Sequence, residues 1–225
     1  MPVTTPDVVL FDVNETLADL SALRTRFTDC RLPAGLQATW FSAVLRDGFA
    51  LTAAGGYAPF ADLARDQLLS LTDRLDDWGG NPEQAADHIL AGFDRLSLHA
   101  EVPGAVRALH QAGFRLATLT NGSAAHTRQL LDRAGISDLF EAVLDVAAPR
   151  CWKPGPAAYQ FAVDRLAVRK ERALLVAVHP WDIDGAQRAG LSGAWLRRGA
   201  TRYPVSMLPP DRIADGLADL AAMLT

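Results

Sequence analysis

One stretch of the chain combines residue types and spacing that could do chemistry: Val8-Val9-Leu10-Phe11 runs straight into Asp12, and a hydroxyl residue, Thr16, follows four positions later. Four branched or aromatic apolar residues favour a fully buried strand. A carboxylate at the carboxyl end of such a strand faces the crevice where open α/β sheets bind ligands. Asp12 is thereby a candidate nucleophile. The plainer reading is a strand-terminal Asp capping a turn, and the rest of the chain weighs against it.

Three more segments share the pattern. Ala117-Thr118-Leu119-Thr120-Asn121-Gly122-Ser123 is an apolar run ending on the hydroxyl of Thr120; Lys153-Pro154-Gly155-Pro156 is followed by Tyr159; and Leu175-Val176-Ala177-Val178-His179-Pro180-Trp181-Asp182 runs on to Gly185-Ala186 and Gly190. In order and spacing the four segments resemble the motifs of the haloacid dehalogenase superfamily, over nearly the whole chain. Trp181-Asp182 and Thr120-Asn121 are similar to the corresponding pairs of the type II L-2-haloacid dehalogenases, a resemblance that makes Trp181, and Asn14 beside the nucleophile, candidate substrate contacts. The resemblance implies two-step covalent hydrolysis. Asp12 would displace the halogen from a small 2-haloacid, and water would then free the hydroxy acid from the Asp12 ester. Lys153 would keep Asp12 ionised, and Asp182 would orient Lys153 or activate water, or cap the helix ending near Gly190. Thr16, Thr120 and Asn121 would bind carboxylate oxygens of the nucleophile or substrate. Tyr159 would donate its hydroxyl into the site or belong to the core.

Two missing carboxylates choose between branches of the superfamily. Phosphatases of this group carry a second Asp two residues after the nucleophile, as general acid for a poor leaving group; this chain has Asn14. They also carry an Asp that helps hold Mg²⁺ where Val178 stands. A halide leaves without a proton, and a monoanionic acid needs less countercharge than a phosphate, so a lysine and oriented N–H groups could replace the metal. No cofactor is expected. A Mg²⁺-dependent phosphatase, a ring-opening hydrolase acting on an azetidine-2-carboxylate type of substrate, and a scaffold built on a decayed enzyme stand as alternatives. The chain also departs from the type II pattern. Asn14 replaces a Tyr, His179 replaces an Asn, and no Arg occupies the expected place in Thr39 to Leu45, leaving Arg46 as the candidate halide receiver. His179 is read either as structural or as a donor to the departing anion.

These residues need elements to hold them. From 18 to 98 the pattern is helical with little strand signal: Leu36, Trp40, Val44, Leu45 and Phe49 form one stripe, Phe60, Leu63, Leu68, Leu71 and Leu75 another, and Pro82-Glu83 opens a helix containing Ile89, Leu90 and Phe93. Strands are expected over 116–120, 142–144, 173–178 and 194–196, with Gly135 and Gly190 ending helices and Ile213, Leu217, Leu220 and Leu224 marking a terminal helix. The prediction is an α/β fold: a doubly wound, parallel, Rossmann-like core (1–17 and 99–225) with an inserted all-helical cap domain (18–98). The cap would close the crevice, with Trp40 and Phe60 walling a small apolar pocket.

Composition agrees with an enzyme of small molecules. The chain has 225 residues, 49% apolar, enough for a sizeable core. A net charge of −4 without a basic cluster argues against nucleic acid. Met1 to Asp7 show no signal peptide or membrane span, which makes the cytoplasm the default and a membrane partner unexpected. Cys30 and Cys151 are too few for a disulfide framework. The resemblance adds a homodimer as an expectation.

Overall fold

The computed structural model describes residues 5–200 and 202–225, so the reading made above from Met1, Pro2, Val3 and Thr4 lies outside them. In chain order the elements are β1 (Val8–Phe11), β2 (Ala18–Asp19), α1 (Leu23–Asp29), α2 (Leu36–Ala53), α3 (Phe60–Thr72), α4 (Pro82–Leu90), β3 (Ser97–Leu98), α5 (Val102–Gln111), β4 (Arg115–Thr120), α6 (Ala124–Arg133), β5 (Ala142–Asp145), α7 (Pro156–Arg165), β6 (Ala173–Ala177), α8 (Pro180–Arg188), β7 (Ser192–Leu196), β8 (Arg212–Ala214) and α9 (Leu217–Leu224). Six strands form one parallel sheet in the order β5-β4-β1-β6-β7-β8. β1 is buried on both faces, as its unbroken apolar run requires. Val8 and Leu10 share a core with Ala158 and Ala162 of α7 and Ile183 and Ala186 of α8, whereas Val9 and Phe11 share one with Val106 and Leu109 of α5 and Leu217 and Leu220 of α9. This is the two-sided layering of a doubly wound fold. The strand order runs outward both ways from β1, which puts a crevice at its carboxyl end.

Between β1 and α5 lie the four helices of the insertion. α2 packs on α3, α3 on α4 and α4 on α1. Asn81 caps α4 by accepting from the Gln84 N–H, with Pro82 at the first helical position. Gly135 and Gly190 follow α6 and α8 at φ +63° and +98°, the left-handed conformation that ends a helix cheaply only for glycine.

Four details differ from expectation. The insertion is not purely helical: β2 pairs antiparallel with β3, drawing its two ends together in two residue pairs too short to leave a periodic signal. β6 stops at Ala177, so Val178 lies beyond the strand. Ile213 belongs to β8, not to the terminal helix, and β8 itself has no forerunner in the sequence pattern. It is a three-residue edge strand whose Ile213 faces solvent, so no apolar run marks it. Among the described residues no helix is long and apolar enough to cross a membrane.

Candidate active site

The carboxyl ends of β1, β4 and β6 bring the chemical residues together. The register sets Phe11 beside Thr118 and Val176, so Asp12 emerges level with the ends of both neighbours, and its N–H donates to the Val176 carbonyl (3.0 Å). Lys153 reaches in from the loop before α7, fully buried. Its Nζ donates to Asp12 Oδ1 at 2.9 Å and to Asp182 Oδ2 at 2.6 Å. Asn121 holds that loop, accepting from the Lys153 N–H (2.8 Å) and donating to its carbonyl (3.0 Å). Thr16 Oγ1 donates to Asp12 Oδ2 (2.7 Å) and accepts from the Val178 N–H (3.1 Å), tying β1 to the end of β6.

Burial raises the cost of charge on Asp12, yet the Lys153 ammonium, followed by His179 and the Thr16 hydroxyl, outweighs it and holds this carboxyl well below its usual range. Lys153 is likewise disfavoured by burial but kept cationic by the two carboxylates. Asp182 moves the other way. Its burial and the charge on Asp12 exceed what it receives from a lysine shared with a second acid, so its pKa is raised despite the short contact. One buried cation between two carboxylates thus leaves Asp12 the anion and Asp182 the more basic partner.

His179 completes the set. Its Nδ1 lies 3.3 Å from Asp12 Oδ2 and its Nε2 2.9 Å from Glu15 Oε2. Carboxylates only accept, so both ring nitrogens must carry protons and the ring is an imidazolium. Burial works against that charge, but the hydrogen bonds to Asp12 and Glu15 and their charges lift the pKa to about 9. The ring stacks on Trp181 (centroids 5.0 Å apart) and lies near Phe41 (6.5 Å). Glu15 adopts φ +63°, uncommon for a residue with a Cβ, and its carbonyl accepts from the His99 ring (3.0 Å), which braces the turn that presents its carboxylate.

Above the strand ends, between sheet and insertion, lies a cavity of about 330 Å³. Its floor is Val13, Asn14, Thr120 and Gly122, next in sequence or space to the nucleophile; its walls include Phe60, Phe93 and Leu130. A Cβ on Gly122 would sit 3.2 Å from Thr120 Oγ1 and 3.3 Å from Asn14 Nδ2, so the glycine lets these two polar groups converge. The residues do not fit a divalent cation. It would have to share the Asp12 carboxylate with two cations, Lys153 and His179, and the end of β6 offers it Val178.

Several expectations need correction. Trp40 does not line the crevice: it is fully buried inside the insertion, donating to the Ala64 carbonyl (2.9 Å) and packing on Phe27 and Phe93. Arg46 points outward, 67% exposed and paired with Asp47, because the helix face that carries it is the solvent face. His179 has both N–H groups committed to the carboxylates of Asp12 and Glu15, which leaves neither for a departing anion. Trp181 does not reach the cavity; it braces His179 and meets Phe49 (4.9 Å). The Tyr159 hydroxyl, by contrast, donates inside the site as well as belonging to the core: it is fully buried and bonded to Asp182 Oδ1 (2.6 Å), and burial with the Asp182 charge raises its pKa well above normal. The Asn121 side chain faces the Lys153 backbone instead of a carboxylate. The cap position of α8 is held by His179, and Asp182 sits in the first turn.

Reading the sequence alone missed Glu15 and Trp152. Trp152 is fully buried and joins the two layers. Its N–H donates to Thr52 Oγ1 (3.1 Å), its Nε1–H donates to the Ala58 carbonyl (3.0 Å), its ring stacks on Phe60 (6.1 Å), and it presses on Gly48. Its place directly before Lys153 was the only available signal.

Comparison with known proteins gives the family. The model of the haloacid dehalogenase-like hydrolases matches residues 6–190. Haloacetate dehalogenase H-2 of Moraxella sp. (strain B) is 32% identical over 63% of this chain and 64% of its own length. (S)-2-haloacid dehalogenase 2 of Pseudomonas sp. (strain CBS-3) is 26% identical over 96% and 94%. The solved structure of an L-2-haloacid dehalogenase superposes with a TM-score of 0.90 at 27% identity, covering 98% of this chain and 99% of that one.

Proposed function

The chain belongs to the haloacid dehalogenase-like hydrolases, and from that premise we propose that it hydrolyses 2-haloalkanoic acids to 2-hydroxy acids through an ester on Asp12, without a metal ion. The observation that carries this reading is the buried Asp12–Lys153–Asp182 triad, with the imidazolium of His179 against the same nucleophile. Asp12 Oδ2 accepts from both Thr16 and His179, while Oδ1 accepts, among the described residues, from Lys153 alone and keeps a lone pair for attack. Oδ1 attacks the carbon bearing the halogen. The halide leaves on the far side with the bonding pair, and the centre inverts.

The ester that results has Oδ2 as its carbonyl oxygen. Thr16 and His179 already donate to that atom, so they form a ready oxyanion site for the second step. Water attacks the ester carbonyl carbon, its proton passing to Asp182, whose raised pKa suits it to accept. Collapse of the tetrahedral intermediate breaks the Cγ–Oδ1 bond and frees the hydroxy acid, whose alkoxide takes the proton from Asp182; Asp12 keeps the oxygen from water and sheds its remaining proton to solvent. Tyr159 and Lys153 hold Asp182 in place, and Asn121 holds Lys153. The insertion, residues 18–98, acts as a cap that excludes water from the nucleophile, with Phe60 on its inner face. In the substrate complex, the carboxylate binds to Asn14 and Thr120.

Halide release from chloroacetate, 2-chloropropionate and fluoroacetate, measured in EDTA for the wild type and Asp12→Asn, tests the reading. Release that disappears with Asp12→Asn and persists in EDTA is expected. Turnover that needs Mg²⁺, or phosphate released from p-nitrophenyl phosphate in place of halide, would assign the site to phosphoryl transfer.

A further inference from the structure

The cavity is larger than a two- or three-carbon acid requires. An apolar cavity of about 150 Å³ takes up benzene, and this one measures about 330 Å³. Its polarity is also one-sided. On the floor, the Asn14 amide makes no side-chain hydrogen bond among the described residues. Thr120 Oγ1 accepts from the Gly122 N–H (2.9 Å), leaving its own proton to donate. The remaining polar lining groups have partners among the described residues except the Tyr57 hydroxyl, whose ring lies against the Arg150 guanidinium. Asp145 accepts from the N–H groups of Ala124 and Ala147, Thr127 donates to the Ser123 carbonyl, Ser123 caps α6, and His126 pairs with Asp94 at the rim. The far wall is Phe60, Leu90, Phe93, Leu96 and Leu130.

Resting on the dehalogenase reading above, we propose that the acid this site takes carries an apolar tail, an alkyl chain of about four to six carbons or one ring, on its halogen-bearing carbon. The carboxylate meets Asn14 and Thr120, the carbon under attack lies above Asp12, and the tail runs between the insertion and α6 to the Leu90 and Leu96 wall. The tail gains by leaving water and by filling an apolar space too weakly polar to order water well. Short haloacids fill only the floor.

The test is a homologous series. Halide release is followed for 2-chloropropionate, 2-chlorobutanoate, 2-chloropentanoate, 2-chlorohexanoate and 2-chloro-3-phenylpropanoate on the wild-type protein, with propionate and octanoate as halogen-free competitive inhibitors. Burial of one methylene is worth about a factor of four in kcat/KM, so the hexanoate should exceed the propionate by roughly 60-fold, and octanoate should inhibit far more tightly than propionate. Leu90→Trp, which places an indole in the far end of the cavity, should lower the hexanoate-to-propionate ratio at least tenfold. If this variant does not fold, the wild-type series and the inhibitors decide alone. Turnover of 2-chloropropionate with a flat or falling response to chain length overturns the inference while leaving the dehalogenase reading intact. Absence of halide release from every member overturns both.

Discussion

His179 offers a quantitative handle on the site. The ring stands between Asp12 and Glu15 with its pKa raised from 6.5 to about 9. One pKa unit corresponds to 1.36 kcal/mol, so a shift of about 2.5 units makes protonated His179 worth about 3 kcal/mol to the folded state. The folded value lies above the unfolded one. The contribution is therefore complete below pH 6.5, declines as pH rises through that window, and is gone above about pH 9. The ring is only 13% exposed, so the Asp12 share is little screened, whereas Glu15 is 43% exposed and its share falls with salt. Wild type and His179→Asn would be unfolded in urea at pH 6, 7.5 and 9.5, followed by the fluorescence of the five tryptophans. The stability difference between them should shrink by about 2 to 3 kcal/mol across that range, close to 1 M in urea midpoint. Moderate salt should reduce it further. A difference that stays constant from pH 6 to 9.5 would mean that the folded ring is neutral, and the oxyanion role given to it would fall with its charge.

Two further outcomes follow from the packing. Lys153→Met leaves two buried carboxylates without their cation, so it should cost about 3 to 5 kcal/mol at pH 8 and less at pH 5, where one carboxylate can take a proton; urea unfolding at both pH values checks this, and an equal cost at both would refute it. Gly48→Ala drives a methyl into the buried Trp152 ring, a clash of about 3 kcal/mol against about 1 kcal/mol gained in helix propensity; a net loss near 2 kcal/mol should lower Tm by roughly 4 to 8 °C, and an unchanged or raised Tm would show that the two layers yield at this contact.

How much of this was legible in advance depended on the range of the cause. The apolar run of 8–11, the hydroxyl and carboxylate placed at the ends of such runs, the helical stripes of 36–49 and the helix-ending glycines are local patterns. Hydrophobic period and strand-terminal position act over a few residues, so Asp12, Thr16 and Thr120 could be named from one dimension, along with the α/β class, whereas Lys153 and Asp182 were named through the resemblance of their segments to the family's motifs. The sequence also carried the absence of carboxylates at Asn14 and Val178, which agrees with a site where Lys153 and His179 supply positive charge beside Asp12. Which way a side chain faces within a layer was decided elsewhere. Trp40 and Arg46 lie on one helix, six residues apart, and only the packing of α2 against α3 sends the first into the core and the second to water. Trp152 became the joint between layers because Gly48, more than a hundred residues earlier, leaves room for its ring. His179 meets Asp12 and Glu15 across more than 160 residues of chain, and a histidine's charge is set by whatever carboxylates it meets. Strand ends can be read from sequence because each strand writes its own period. The electrostatics of the site came only with the tertiary structure, because Coulomb energy depends on distances between elements that share no local pattern.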